Sequence, residues 1–271
     1  MRVLITGASG NLGQKAVRAL GGRDGVELVQ ISADTPAVGA DRVRADLATY
    51  DDAWAAAFRG VDVVVHLAGN GRPDAGWATV LRSNIDLTLN VLRAAEAAHV
   101  GRFVFASSNW VLAGYRFTAD RLKSTTPPRP VNPYGVSKLV VERVGLAAAA
   151  RTGMVFLALR IGYCQPGANK PGPHMAFGRW GQEMWLSNDD WAQAVQQACT
   201  ADLTGSAIVN VMSANRGMRW ELDETARHIG YRPRHRHTPR LTAATRLTDL
   251  AARLRDAARR PMTAPAIGAR W

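Results

Sequence analysis

Short runs of apolar residues, each followed by a turn and then a longer segment with helical spacing, recur along this chain from its N-terminus. The runs at 3–5, 28–31, 61–66, 103–105, 155–159 and 207–211 are apolar nearly throughout instead of alternating, as strands buried on both faces of a parallel sheet are. Between them, apolar positions three and four apart predict helices over 12–20, 51–58, 77–98, 134–150 and 189–201. Strand and helix in alternation predict an α/β fold. Right-handed crossovers would wind it into a Rossmann-type doubly wound parallel sheet.

Past residue 161 the pattern breaks. Pro166, Gly167, Pro171, Gly172, Pro173 and Gly178 crowd into a stretch that reads as a loop over a site. A short helix is expected over 220–229, and a surface helix over 241–260, where Leu241, Leu247, Leu250 and Leu254 recur between arginines. Pro261, Pro265 and Gly268 then predict a loosely held end. The expected organisation is a dinucleotide-binding core over 1–162, completed by a strand at 207–212, and a small C-terminal substrate cap from 163–206 and 213–271.

Composition narrows the classes. The chain has 271 residues, 47% of them hydrophobic and 21% charged, enough for one full-sized domain. No apolar run is long enough for a membrane span, and residues 1–6 lead straight into a strand, so neither a membrane partner nor a secretory leader is expected. Two cysteines, Cys164 and Cys199, make no disulfide framework, no His/Cys cluster has metal-site spacing, and a cytoplasmic location follows. The net charge of +12 sits unevenly. From Arg216 onward 13 arginines face 5 acids, and the chain uses 30 Arg against 4 Lys. No aromatic and basic stacking surface accompanies the charge, so no nucleic-acid partner is expected.

Two constellations carry chemistry. The first strand runs into Thr6-Gly7-Ala8-Ser9-Gly10-Asn11-Leu12-Gly13, a glycine turn ahead of a helix. Gly7, Gly10 and Gly13 let backbone approach a pyrophosphate, and the helix start, Asn11 and Leu12, offers N–H donors with a favourable dipole. Asp46-Leu47, after a third strand, and His66-Leu67-Ala68-Gly69, after the fourth, fall on the same rim. The second constellation is Tyr134-Gly135-Val136-Ser137-Lys138. A spacing of four puts Tyr134 and Lys138 on one helical face, where an ammonium favours the ionised phenol. Ser108, upstream at a strand end, can donate a hydrogen bond to the reacting oxygen.

On these motifs, with Asn84 and Ser107, the chain resembles the extended short-chain dehydrogenase/reductase superfamily, which includes NAD-dependent epimerases and dehydratases. The resemblance implies a catalytic triad of Ser108, Tyr134 and Lys138, with Asn84 holding a proton-relay water and Asp46 meeting the adenine amino group. Phe105-Ala106-Ser107-Ser108-Asn109, Arg160-Ile161-Gly162 with Cys164, residues 185–191 and Ser213-Ala214-Asn215 are most similar to uronate dehydrogenases, compact NAD enzymes that oxidise hexuronic acids at the anomeric carbon. By that likeness Ile161 joins the cofactor-binding residues, and Asn70, Asn109, Trp110, Tyr163 and Arg179 would contact substrate. The pocket departs from the family: Trp110 stands for its His, Tyr163 for a Ser, and Trp180 falls on or beside its carboxylate-binding Arg. Arg179 is left as a displaced anchor, and Arg72 and Arg116 are further candidates.

The absence of an Asp-Glu pair beside Ser108 disfavours water elimination, and the short tail leaves little to bury a nucleoside diphosphate. Hydride transfer to or from a small sugar, sugar acid or polyol remains. Asp34, near the end of the second strand, and the lack of a basic residue before Arg42 favour NAD, with NADP not excluded. Two other readings stay open: a carbonyl reductase for a less polar molecule, and a non-catalytic dinucleotide sensor. The superfamily's helix pairing, at 77–98 and 134–150, implies a homodimer.

Overall fold

The computed structural model describes residues 1–34 and 41–259, without the side chains of 257 and 259. Its strands are β1 (Arg2–Thr6), β2 (Glu27–Ser32), β3 (Arg42–Arg44), β4 (Val63–His66), β5 (Arg102–Ser108), β6 (Val155–Ile161) and β7 (Ala207–Val211). All pair in parallel, in the order β3-β2-β1-β4-β5-β6-β7. The order reverses between β1 and β4. In such sheets a ligand crevice opens at that point, over the C-terminal strand ends.

Helices cover both faces: α1 (Asn11–Leu20), α2 (Asp52–Ala55), α3 (Trp77–Val80), α4 (Leu87–Ala97), α5 (Pro133–Thr152), α6 (Gly178–Glu183), α7 (Asn188–Thr200), α8 (Asp223–Ile229) and α9 (Ala243–Arg259). One core layer joins Val3, Ile5, Val65, Leu157 and Val209 to α1 and α7. The other joins Leu4, Val64, Phe103 and Phe156 to α2, α4 and α5. The strands' alternate side chains thus feed opposite layers, which is why their sequences are apolar without interruption.

Several expectations on element bounds are corrected. The helix expected over 77–98 is broken into α3, a π-helical segment Leu81–Asp86 and α4. The helix at 51–58 tightens to 3-10 geometry over Ala56–Phe58. The helix expected from 220 starts at Asp223, because Trp220 bridges to Leu122 as extended backbone. Within the glycine- and proline-rich stretch, α6 begins at Gly178 and was not foreseen. The expected tail helix is α9, and the end containing Pro261, Pro265 and Gly268 lies outside the described residues. A third apolar cluster lies over the sheet's rim: Leu112, Leu122, Trp180, Met184, Met212 and Trp220, with Trp110, Tyr163 and Phe177 packed against it. Among the described residues no helix is long and apolar enough to cross a membrane, and no group of side chains could hold a metal ion.

Candidate active site

The turn between β1 and α1 is shaped by close backbone approach. Gly7 has φ +68°, and a Cβ there would lie 2.6 Å from the Ala68 nitrogen, in the loop after β4. At Gly13 a Cβ would meet the Gly7 carbonyl oxygen at 2.0 Å. Gly10 is the N-cap of α1 and supplies no side-chain cap, so the helix starts with backbone donors for an anion. This cradle fits a dinucleotide's pyrophosphate.

The other cofactor-side residues are anchored in ways the sequence does not show. Asn11 Nδ2 donates to the Cys164 carbonyl at 2.8 Å, and Lys15 Nζ to the Gln165 carbonyl at 2.6 Å, tying α1 to the chain just past Ile161 at the end of β6. Trp191 Nε1 donates to the Leu12 carbonyl at 3.2 Å. Leu47 is buried, and its carbonyl accepts from Asn90 Nδ2. Asp46, expected to face adenine, caps the Ala48 nitrogen with Oδ1, and its Oδ2 is 2.5 Å from Arg82 Nη2. Asp34 is exposed.

The loop after β4 is held from below by His66. Its ring is fully buried, with Nδ1 2.7 Å from Thr6 Oγ1 and Nε2 2.9 Å from Thr88 Oγ1. The Thr88 hydroxyl donates to the Asn84 carbonyl at 2.6 Å, so its oxygen accepts from His66 Nε2–H, and Nδ1 accepts from Thr6. Thr6 Oγ1 then accepts from the Ala68 nitrogen. Burial, aided by the Lys138 charge, lowers the His66 pKa to about 3, so the ring is neutral. Leu67 bonds back to Thr6, and Gly69 closes the turn against Asn84.

Asn84 lies in the π-helical segment, a geometry that often marks functional sites. Its Oδ1 accepts from the Asn70 nitrogen at 2.7 Å, and its Nδ2 donates to the Asn70 carbonyl and to Ser137 Oγ, each at 3.1 Å. The expected water-holding residue therefore clamps the loop after β4 to α5. The Asn70 side chain is turned back on its own loop, accepting from the Arg72 nitrogen.

Helix α5 starts on firm supports: Asn132 Oδ1 accepts from the Gly135 nitrogen, Pro133 occupies the first turn, and Asn132 Nδ2 reaches the Pro73 carbonyl. That fixes Tyr134 in the first turn and Lys138 in the next, both buried, beside Ser108 at the end of β5. Lys138 Nζ stands 5.7 Å from the Tyr134 ring centre and 4.9 Å over that of Phe105. Burial raises the Tyr134 pKa above its ordinary value, opposed by the Ser108 hydroxyl. Burial also lowers that of Lys138 to about 8, opposed by Glu142. Desolvation thus outweighs the expected lowering of the phenol in the protein alone.

Behind this pair is an ion pair the sequence reading missed. Arg160 reaches both Glu142 oxygens at 2.9 Å, Ser107 Oγ donates to Oε1 at 2.6 Å, and Arg160 Nη1 meets the Ser124 carbonyl. It locks α5 to β5 and β6. The spacing of Lys138 and Glu142, one helical turn, was the available signal.

On the substrate side, Asn109 is fully buried, and neither of its amide atoms has a hydrogen-bond partner. Buried polar groups are nearly always paired, and Asn109 is an exception to that rule. Next to it Trp110 packs edge-on to Phe177, 5.0 Å between centres, and to Trp180 at 5.3 Å, while Tyr163 lies 6.3 Å from Phe177. Phe177, another residue the sequence reading missed, has φ +67°, strained for a residue with a Cβ; Arg116 Nη2 holds its carbonyl at 3.1 Å. Arg179 is not brought to this wall. It is exposed and lines a groove with Leu241, Arg246 and Asp249, while its neighbour Trp180 turns inward.

Known proteins are similar to this chain in sequence and fold. An L-arabinose 1-dehydrogenase (NAD(P)(+)) of Haloferax volcanii is 38% identical over 252 residues, 86% of this chain and 96% of that protein. A uronate dehydrogenase of Pseudomonas putida is 32% identical over 86% of this chain and 84% of its own length. A mutant uronate dehydrogenase from Agrobacterium tumefaciens, solved in complex with NAD, superposes with a TM-score of 0.72 at 26% identity, covering 98% of this chain and 92% of that one. The family description "NAD dependent epimerase/dehydratase" matches residues 3–164, more than half of the length. Sequence match, fold and glycine cradle agree: the chain belongs to the NAD dependent epimerase/dehydratase family.

Proposed function

We propose that the chain oxidises an uncharged cyclic sugar at its anomeric carbon, with Ser108, Tyr134 and Lys138 as the catalytic residues. It is an NAD(P)-dependent oxidoreductase of the short-chain type, acting on a small sugar, sugar acid or polyol-like substrate. The bound nicotinamide supplies a hydride acceptor. Tyr134 takes the hydroxyl proton, Ser108 donates to the same oxygen, and Lys138, charged at neutral pH, favours the phenolate. The glycine cradle and the rim formed by Leu67, Ala68, Gly69 and Ile161 hold the dinucleotide. Asn109 addresses the sugar: its open donor and acceptor match a hydroxyl, which is both.

The observation that carries the choice of an uncharged sugar is the fate of the three candidate anchors. Arg72 pairs with Asp74 in solvent at 2.9 Å. Arg116 gives Nη2 to the Phe177 carbonyl, lies 5.8 Å over Trp180 and keeps a buried Nε without a partner. Arg179 faces the groove beside α9. Arg72 and Arg179 lie away from the aromatic wall, and Arg116 meets it with one terminal nitrogen already holding the Phe177 carbonyl, so none of the three offers both terminal nitrogens to a carboxylate. The wall itself would also suit a less polar carbonyl, but an unpartnered buried carboxamide favours a polyhydroxylated ring.

Residues 163–206 and 213–259 serve as the substrate cap in this reading. Two unpaired cysteines suit a reducing cytoplasm. A homodimer through α4 and α5 is part of the proposal, supported by Trp77, Leu81 and Leu89 exposed on α3, the π-helical segment and α4. Screening NAD reduction across aldoses and their uronic acids tests the substrate class. The expected result is a kcat/KM at least tenfold higher for a neutral sugar, and equal or faster uronate oxidation would refute it. Tyr134→Phe should lower kcat by about 10²- to 10⁴-fold with NADH binding unchanged. A loss under about threefold would remove Tyr134 from the chemistry.

A further inference from the structure

Helix α6 turns Trp180 into the aromatic wall and leaves its neighbour Arg179 outside. There Arg179 lines an open groove of about 400 Å³ with Leu241, Arg246, Asp249, Leu250 and Arg253, all from α9 or the two residues before it. The two helices meet beside it: Asp249, its side chain 10% exposed, lies 4.0 Å from where a Cβ on Gly178 would stand.

The groove carries a surplus of positive charge. Its one carboxylate, Asp249, is engaged within α9 by Arg253 Nε at 3.1 Å, and Arg116 stands near enough to sense it. Burial pushes the neighbouring Glu183 carboxyl up to about 7, against the pull of Arg219, Arg179 and Arg253, so at neutral pH it offsets only part of that surplus. Exposed arginines elsewhere sit beside acids, as Arg72 does with Asp74, Arg82 with Asp46 and Arg151 with Glu96. Among the described residues no carboxylate lies within salt-bridge distance of Arg179 or Arg246. Like charges brought together from two elements repel, and an anion seated between them converts that repulsion into charge-assisted hydrogen bonds.

We propose that this groove binds a small organic phosphate ester, its phosphate between Arg179 and Arg246 and its carbon body on Leu241 and Leu250. Three guanidiniums against one carboxylate leave two positive charges, which match a phosphate monoester carrying close to two negative ones at neutral pH. The guanidinium fork suits phosphate oxygens, and the two leucines offer apolar surface that a bare anion cannot use. A ligand there bridges α9 to α6 one residue from Trp180, where it can bear on the aromatic wall without entering the sugar pocket. The site is separate from the reacting residues and from the glycine cradle, and it does not depend on the reaction assigned above.

Calorimetric titration of the full chain with phenyl phosphate and with inorganic phosphate tests it without turnover. Phenyl phosphate should bind, and inorganic phosphate should bind at least about threefold more weakly. Arg179→Gln and Arg246→Gln should each weaken phenyl phosphate by roughly tenfold. Arg255→Gln removes the same charge from an exposed position of α9 outside the groove, and should leave the affinity within about twofold. All three arginines are exposed, so an unchanged melting temperature verifies that the variants fold. A Kd for phenyl phosphate above about 10 mM would overturn the site. So would an equal loss in Arg255→Gln, the mark of diffuse charge alone, or an affinity unmoved by Arg179→Gln and Arg246→Gln, which would put the phosphate elsewhere, as in the glycine cradle. Inorganic phosphate bound as tightly as the ester would overturn the assignment to an organic ligand.

Discussion

His66 makes the protein's stability depend on acid in a calculable way. The ring is fully buried, and its pKa is about 3 against 6.5 for the free side chain. Its native value is depressed, so the unfolded chain takes up the proton first. The stabilising contribution is complete above about pH 6.5 and is lost progressively down to about pH 3. Each unit is worth about 1.4 kcal/mol, so the full loss is on the order of 5 kcal/mol, and about 2 kcal/mol is already gone at pH 5. Urea unfolding at pH 7.5 and pH 5.0, on wild type and on His66→Gln, isolates this part. Carboxylates and other groups titrate in both proteins, whereas only the wild type carries the imidazole. Wild type should lose about 2 kcal/mol more than the variant between the two pH values, with unchanged dependence on urea. Equal losses would show that the buried ring does not resist protonation, and would refute the neutral hydrogen-bond chain from Thr88 through His66 to Thr6.

Glu142→Gln leaves the Arg160 guanidinium buried without a counter-charge and should cost about 3–5 kcal/mol, read as a fall of roughly 10 °C in melting temperature. Glu142→Leu combined with Arg160→Met should lose far less than Glu142→Gln alone; a double variant as unstable as the single one would contradict this account. Asn109→Ala should raise the KM for sugar by tenfold or more with a much smaller change in kcat, since it removes binding made before the reaction. An unaltered KM would take Asn109 out of the pocket. Leu89→Arg should convert a dimer, measured by sedimentation equilibrium, into a monomer while the fold is kept.

Parallel strands and the glycine turn were legible because their signals are local: uninterrupted apolar runs, and Gly7 and Gly13 at positions where a Cβ would strike backbone. Tyr134 and Lys138 were legible for the same reason, one helical turn apart behind a capping Asn132. What the sequence concealed depends on pairing across distance. Asn84 is marked by the family resemblance alone, as a water-holding residue, and its grip on the Asn70 backbone 14 positions earlier comes from the π-helical segment. Arg160 reads as a charge in an apolar strand until Glu142 is seen to neutralise it. Phe177 sits in a stretch whose glycines and prolines announce only irregularity, and its left-handed backbone depends on Arg116, which is 61 residues away in the chain. Arg179 is an anchor candidate only through the family resemblance, and the single-residue offset that turns Trp180 inward is settled by packing.

The ties from Asn11 and Lys15 to the backbone at Cys164 and Gln165 weld the start of α1 to the end of β6. The floor under a dinucleotide's phosphates and the floor under its reactive end therefore form one mechanical frame. Apart from Tyr163, the aromatic wall is carried by other segments: the turn after β5, and α6 with Phe177 just before it. Under the proposed function, such a division makes the two surfaces separately evolvable: exchanging residues around Phe177 and Trp180 would re-aim the enzyme toward a different sugar while its grip on the nucleotide is inherited intact.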